Sequence, residues 1–348
     1  MIKEAISKLV DKNDLTQSET RDVMKEIMGG NATQAQIGAF LTALRLKRET
    51  VDEITACAEI MREFANRITP KSKKLIDTCG TGGDKIKTFN ISTVTAFVVA
   101  GCGLSVAKHG NRSVTSKCGS ADVLEALGLK LDLAPKEVEK CINSCGIGFL
   151  FAPKFHPAMK YAIGPRREMG IRTIFNILGP LTNPAFAKHQ IMGVFNPNLT
   201  ETLAQVLSNL GAMHALVVHG LDGLDEVSTI GKTRISEAHE GNLRTYEVSA
   251  KDFGLKQNAK ETILASESIE QNVIDLFKIL NDQKGPKADI VLANSSAALK
   301  AGLDTDFIKG VELAKESIES GKAYEKLKSL VKESSGDLSK LEKLEDTL

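Results

Sequence analysis

The alternation of apolar and polar positions divides the chain into two unlike stretches. Up to about residue 68, apolar residues return every three or four positions: Ile2, Ala5, Ile6, Leu9 and Val10, then Ile37, Phe40, Leu41 and Leu44 within Gln34 to Lys47. That spacing predicts helices with one buried stripe. Thr16-Gln-Ser-Glu19 and Thr50-Val-Asp-Glu53 have the form of capping boxes, and Gly29-Gly30 would stop the helix that the first one opens. The expected unit is a small antiparallel helical domain, or a dimerisation surface.

Beyond the polar linker Pro70 to Lys74 the period changes. Apolar runs at Leu75–Thr78, Leu104–Ala107, Gly148–Phe151, Ile191–Phe195 and Ala215–His219 predict strands. Ser92–Ala100, Ser120–Leu127, Pro135–Ser144 and Thr200–Leu210 predict the helices between them. Ser120 reads as an N-cap, Gly128 as the residue past a helix end, and Pro135 as part of a first turn. Two alternating runs between Thr233 and Val248 predict an antiparallel edge hairpin, and from Ser266 onward the chain reads as amphipathic helix. The expected fold class is α/β: a small N-terminal α-helical domain plus a larger α/β domain with a mostly parallel central sheet.

Two of the predicted strands run into glycine-rich turns. Leu75-Ile76 leads to Gly80-Thr-Gly-Gly-Asp84, and Leu104 to Ala107 leads to Lys108-His-Gly-Asn-Arg112. A strand, a glycine turn and a helix N-terminus together present backbone N–H groups and a favourable dipole to an anion. The first turn matches neither a Walker A loop nor GxGxxG, which removes the main support for a nucleotide cofactor. Asn90, Ser92 and Thr93 open the following helix, either as caps or as hydroxyl and amide donors to a phosphate or its metal. Lys108 and Arg112 add charge to the second turn, with Ser113, Thr115, Ser116 and Ser120 downstream. The pair of turns suggests a ligand with more than one phosphate.

Composition narrows the classes. Lys and Arg (45) balance Asp and Glu (44), so no global field favours nucleic acid or an anionic membrane. The N-terminus is too charged for a signal peptide, and the core run Val94 to Leu104 is too short to span a bilayer. Six cysteines with no CxxC pair fit a reduced, cytoplasmic compartment better than a disulfide frame.

Asp225 and Glu226 follow a strand and the turn Gly220 to Gly223. Adjacent carboxylates repel, so they are either solvated on a surface turn or gathered around a cation. Beside a phosphate site they suit Mg²⁺, with Asp222 a further candidate. His214 and His219 alone do not argue for zinc, because no cysteine or third histidine lies nearby in sequence. The stretches Phe151 to Pro157, Gly164 to Gly170 and Asn176 to Pro184 carry unusual proline and glycine density. An arginine there would hold a carboxylate as a bidentate pair, or form an ordinary surface ion pair.

Taken together, GTGGD, NIST, KHGNRS, CGSADVLEALG, GPRREMGIRTIFNILGPLTNP and HGLDGLDE resemble the anthranilate phosphoribosyltransferases, in the family's order from about residue 75 to 231. The resemblance implies a homodimer, with a helical domain of residues 1–68 joined by part of 160–185 and an α/β domain of 75–348. It implies Mg²⁺-dependent transfer of phosphoribose from phosphoribosyl pyrophosphate to the amine of anthranilate, with release of pyrophosphate. Matched residue by residue, Gly80, Gly83, Asp84, Thr88, Asn90, Ile91, Ser92, Thr93, Lys108, His109, Gly110, Asn111, Arg112, Ser113, Val114, Thr115, Ser116 and Ser120 would hold phosphoribosyl pyrophosphate. Gly80, Asn111 and Arg166 would contact anthranilate, and Ser92, Asp225 and Glu226 would hold magnesium. No obligatory acid or base is assigned; His109 is the first candidate. A pyrimidine nucleoside phosphorylase would need neither the acidic pair nor a carboxylate-binding arginine, and a nucleic-acid-binding relative would need a basic surplus.

Overall fold

The computed structural model describes residues 1–83, 86, 88–112, 118–264 and 268–347. Four helices open the chain: α1 (Ile2–Val10), α2 (Gln17–Met28), α3 (Gln34–Lys47) and α4 (Val51–Glu63). Three start on capping boxes, at Thr16–Glu19, Thr33–Gln36 and Thr50–Glu53, where side chain and backbone satisfy each other's free donors. Gly30, at φ +76°, turns the chain after α2. Glu53 is buried and also accepts the Leu15 N–H and the Lys47 ammonium, so its charge is compensated.

The remainder alternates strand and helix. In order come β1 (Leu75–Gly80), α5 (Ile91–Gly101), β2 (Ser105–Gly110), α6 (Ser120–Ala126), α7 (Pro135–Cys145), β3 (Ile147–Phe151), α8 (Ala152–Phe155), α9 (Lys160–Met169) and α10 (Phe175–Leu181). Then follow β4 (His189–Gly193), α11 (Leu199–Asn209), β5 (His214–Gly220), β6 (Thr233–His239) and β7 (Asn242–Val248). The chain closes with α12 (Ile269–Leu280), α13 (Pro286–Leu303), α14 (Phe307–Glu319), α15 (Lys322–Glu333) and α16 (Ser339–Thr347).

The seven strands form one sheet in the order β3-β2-β1-β4-β5-β6-β7. The first five are parallel, and β6 and β7 close the edge as an antiparallel hairpin. From β1 the chain winds outward through β2 and β3, then returns to lay β4 on β1's other side. The β1–β4 boundary is therefore a topological switch point, where the two halves leave a crevice at the strands' carboxyl ends. Gly80 and Gly193 end β1 and β4 in register at that crevice.

One face of the sheet packs on α5, α7 and α13, with α14 and α15 behind. The other packs on α11 and continues into the core of α1–α4, which α9 and α10 join. Three local expectations change. Gly119, not Ser120, is the N-cap of α6, and its N–H is taken by Asp122 Oδ2 at 2.8 Å. Asn90 stands at the N-cap of α5 without a side-chain capping bond. α13 is buried nearly all round, because it lies between the sheet and α14. Among the described residues all six cysteines are free thiols, and no helix is long and apolar enough to cross a membrane.

Candidate active site

The first glycine turn leaves β1 at the switch point. Thr81 fixes it from the β4 side, donating its N–H to Gly193 O at 2.9 Å and accepting the Phe195 N–H at 3.1 Å. Gly82 and Gly83 adopt φ of +65° and +79°, which side chains other than glycine rarely take. Gly82 donates its N–H to Asp225 Oδ2 at 2.8 Å, so the glycine turn and the acidic pair meet across the crevice. A side chain at Gly80 would sit 3.0 Å from the same carboxylate oxygen, and one at Gly193 only 1.6 Å from the Asp225 carbonyl.

Lys108, at the end of β2, is buried. Its ammonium donates to Thr78 O at 2.6 Å and to Ser92 Oγ at 3.3 Å. Burial lowers its pKa, while Asp77, Cys79 and Glu226 oppose that shift. Glu226 thus lies near the ammonium that touches Ser92, and Asp225 touches the glycine turn. Oxygen donors of this kind fit a hard dication better than a thiophilic one. Burial also raises the pKa of the Asp225 carboxyl, against the opposing effects of the Gly82 N–H and of Arg172. Both observations fit Mg²⁺ on Ser92, Asp225 and Glu226. Asp222 is otherwise engaged: it accepts the Ser228 hydroxyl and the Leu224 N–H within its own turn.

His109 follows Lys108. Its N–H donates to Asp77 Oδ1 at 3.1 Å, and its Nδ1 sits 3.1 Å from Gly179 O. A carbonyl can only accept, so Nδ1 carries the proton and Nε2 keeps its lone pair. That Nε2 is buried with no partner among the described residues, and the ring stands 5.0 Å from the ring of His156. Burial, with smaller contributions from His156 and Lys108, pushes the His109 pKa down to about 3. The imidazole is neutral near pH 7 and too weak a base to take a proton outright.

The rest of the second turn packs tightly. A Cβ at Gly110 would meet Ser120 Oγ at 2.5 Å and the Phe149 ring at 2.7 Å. Asn111 O accepts the Ser120 hydroxyl at 3.3 Å. Arg112 points back to α6, with Asp122 and Glu125 each 2.8 Å from its guanidinium, so its charge is already matched. Ile91 and Thr93 are buried in the first turn of α5, Asn90 precedes them, and Thr88 bridges to Leu264. Asp84, Ser113, Val114, Thr115 and Ser116 lie outside the described residues.

Arg166 differs from Arg112. It is half-buried on α9, stacks over Phe175 at 5.2 Å, and has no acidic partner among the described residues. Burial lowers its pKa.

Several supporting groups are not signalled by local sequence. Asp77 is fully buried, and burial raises its pKa to about 6 against the opposing effects of Asn183, Lys108 and the His109 N–H. Arg172 donates to Gly83 O at 2.6 Å and stacks on Phe195 at 4.2 Å, gripping the first turn. Asn294 on α13 accepts the Val227 N–H and donates to Val227 O, both at 2.9 Å, which anchors the acidic loop. The local cue was a polar residue in an apolar run; the partner depends on the fold. His219 is spent on Val194 O at 2.6 Å.

Comparison with known proteins agrees with this architecture. The "Glycosyl transferase family, a/b domain" matches residues 72–324, and that family's helical bundle domain matches residues 3–65. Fold and site together define a glycosyl transferase. The anthranilate phosphoribosyltransferase of Acetivibrio thermocellus is 54% identical over 332 residues, covering 95% of this chain and 96% of its own. The crystal structure of the Thermus thermophilus enzyme superposes with TM-score 0.90 at 39% identity, covering 95% and 99% of the two chains. The Saccharomyces cerevisiae enzyme in complex with PRPP and Mg superposes at 0.87 with 27% identity, covering 96% and 98%. The chain belongs to the anthranilate phosphoribosyltransferases, enzymes of tryptophan biosynthesis that transfer phosphoribose from phosphoribosyl pyrophosphate to the amine of anthranilate.

Proposed function

We propose that the transfer takes place at the β1–β4 switch point, with the two glycine turns forming one phosphoribosyl pyrophosphate site. The observation that carries this reading is the Gly82 N–H bond to Asp225, which joins the first turn to the acidic pair. Gly80, Gly83, Asn90, Ile91, Ser92 and Thr93 line the β1–α5 side, where the α5 dipole favours negative charge. Lys108, Gly110, Asn111 and Ser120 line the β2 side. Magnesium on Ser92, Asp225 and Glu226 would supply positive charge to the pyrophosphate as it leaves.

Leaving-group departure builds positive charge at C1′ and needs electrostatic support more than a protein nucleophile. The aromatic amine is neutral at pH 7 and brings its own lone pair. Arg166 holds the anthranilate carboxylate, and the carboxylate relieves an arginine that has no acidic partner among the described residues. His109, neutral with Nε2 unprotonated, is suited to accepting a hydrogen bond from the amine and is not assigned as an obligatory base. The exposed apolar side chains Val10, Leu46, Tyr161 and Ile163 on the helical elements support a homodimer. The division into helical residues 1–68, joined by part of 160–185, and α/β residues 75–348 places the cleft between two units. Free thiols support a cytoplasmic enzyme.

The two-turn site is tested by Gly82→Ala, Lys108→Ala and the double variant, varying phosphoribosyl pyrophosphate and anthranilate each in turn at saturating Mg²⁺. Each single change should raise the KM for phosphoribosyl pyrophosphate, and the double should depart from additivity. Strictly additive penalties, or a Lys108 effect confined to anthranilate, would refute a shared site.

A further inference from the structure

At the opposite end of the sheet, parallel register sets His189 of β4 beside His214 of β5, and antiparallel register sets His214 beside His239 of β6. The His214 and His239 rings stack with centroids 4.0 Å apart and planes within 10° of parallel. Glu237 lies two residues before His239 and so shares its face. Its Oε1 is 2.8 Å from His214 Nε2. Its Oε2 accepts from Arg244 Nη2 at 2.9 Å and from the Tyr246 hydroxyl at 2.6 Å. One ligand-capable atom from each of His214, Glu237 and His239 lies within 4.8 Å of the others.

We propose that His214, Glu237 and His239 form a binding site for a transition-metal dication of the zinc or cobalt class, separate from the oxygen-lined magnesium site. Two imidazoles and one carboxylate are a donor set that such ions take, whereas Mg²⁺ prefers oxygen throughout. The dication takes the place of the hydrogen between His214 Nε2 and Glu237 Oε1, and that proton passes to His214 Nδ1 or to solvent. Arg244 and Tyr246 hold the far carboxylate oxygen, the kind of outer support that orients a metal-binding carboxylate. His239 is half-buried and borders a cavity of about 250 Å³ that Glu237, Asn242 and Arg244 also line. The cavity gives an ion access and leaves room for water as a further ligand.

His189 is not among the converging ligand atoms, and its Nδ1 faces Ala301 O at 2.8 Å. Two features keep the affinity moderate. Lys300 Nζ stands 3.6 Å from Glu237 Oε1 and must swing aside. The stacked rings must also turn, since each nitrogen lone pair lies in its ring plane. The ligands come from β5 and β6, so a bound ion clamps the edge hairpin to the parallel strands and favours the folded state.

The test titrates the full chain with Co²⁺ in excess Mg²⁺, which occupies oxygen sites and competes poorly for imidazole. The expected result is one equivalent of Co²⁺ with visible d–d absorption, and an unfolding temperature that rises with Co²⁺ or Zn²⁺. His239→Ala should weaken binding by about 100-fold and Tyr246→Phe by about 10-fold. Metal-free unfolding curves report that both variants are folded, and anthranilate consumption should be unchanged in each. No visible absorption, or binding undiminished in His239→Ala, would overturn the proposal.

Discussion

Replacing Arg166 by alanine removes a half-buried guanidinium that has no acidic partner among the described residues and rests on Phe175 at 5.2 Å. If it holds the anthranilate carboxylate, the loss is that of a charged hydrogen bond, about 1.5–3 kcal/mol. At about 1.4 kcal/mol per factor of ten, kcat/KM for anthranilate should fall about 10- to 150-fold. The KM for phosphoribosyl pyrophosphate should stay near the wild-type value. Stability should also stay within about 1 kcal/mol, because losing the stacking contact is offset by removing a desolvated charge. Arg166→Lys keeps the charge but loses the planar fork, and should recover only part of the loss. Anthranilate is fluorescent and the chain contains no tryptophan, so consumption can be followed against little protein background. Equal losses for both substrates, or a large drop in stability, would assign Arg166 a structural role and refute carboxylate binding.

Gly193→Ala would push the Asp225 carbonyl, now 1.6 Å from the new Cβ, by on the order of 1 Å. A misplacement of that size should lower turnover by about 10²-fold while circular dichroism stays native-like, and an unaffected rate would contradict the placement of the acidic loop. Acid should weaken the fold through His109 and His156, whose pKa values burial pushes down to about 3 and about 4. Both bind fewer protons folded than unfolded, so their stabilising contribution is present above about pH 6.5 and is lost as pH falls towards those values. Between pH 7 and 5 each should contribute a loss of about 2 kcal/mol in urea unfolding. His156→Gln should reduce that loss by about half, and no change in its pH dependence would refute the cause.

The sheet was legible because its signals are local. Each parallel strand is a short apolar run, four of them ended by glycine, and all five appear within a few residues of their predicted bounds. The capping boxes at Thr16 and Thr50 were legible for the same reason. Ser120 was misplaced by one residue because Asp122 reaches back to the Gly119 N–H, a competition that residue type alone does not settle. Arg112 and Arg166 looked alike as cations in loops. Only packing shows that the first is matched by Asp122 and Glu125 and that the second has no acidic partner among the described residues. Asp77 under His109, Arg172 on Gly83 and Asn294 on the acidic loop are long-range pairs fixed by register and helix docking. His214 looked isolated because its neighbour His239 is brought beside it only when β6 folds back along β5.

In the proposed function, the acidic pair and the glycine turns at the β1–β4 switch point make one magnesium-dependent site. The measurement that bears on it most directly is anthranilate consumption by the Asp225→Asn, Glu226→Gln double variant, with phosphoribosyl pyrophosphate and a Mg²⁺ series. Wild type should consume anthranilate only when both are present. The variant should lose at least about 10²-fold in turnover and its response to Mg²⁺, while unfolding at a urea concentration no lower than wild type. Near-normal, Mg²⁺-dependent turnover in the folded variant would contradict the account.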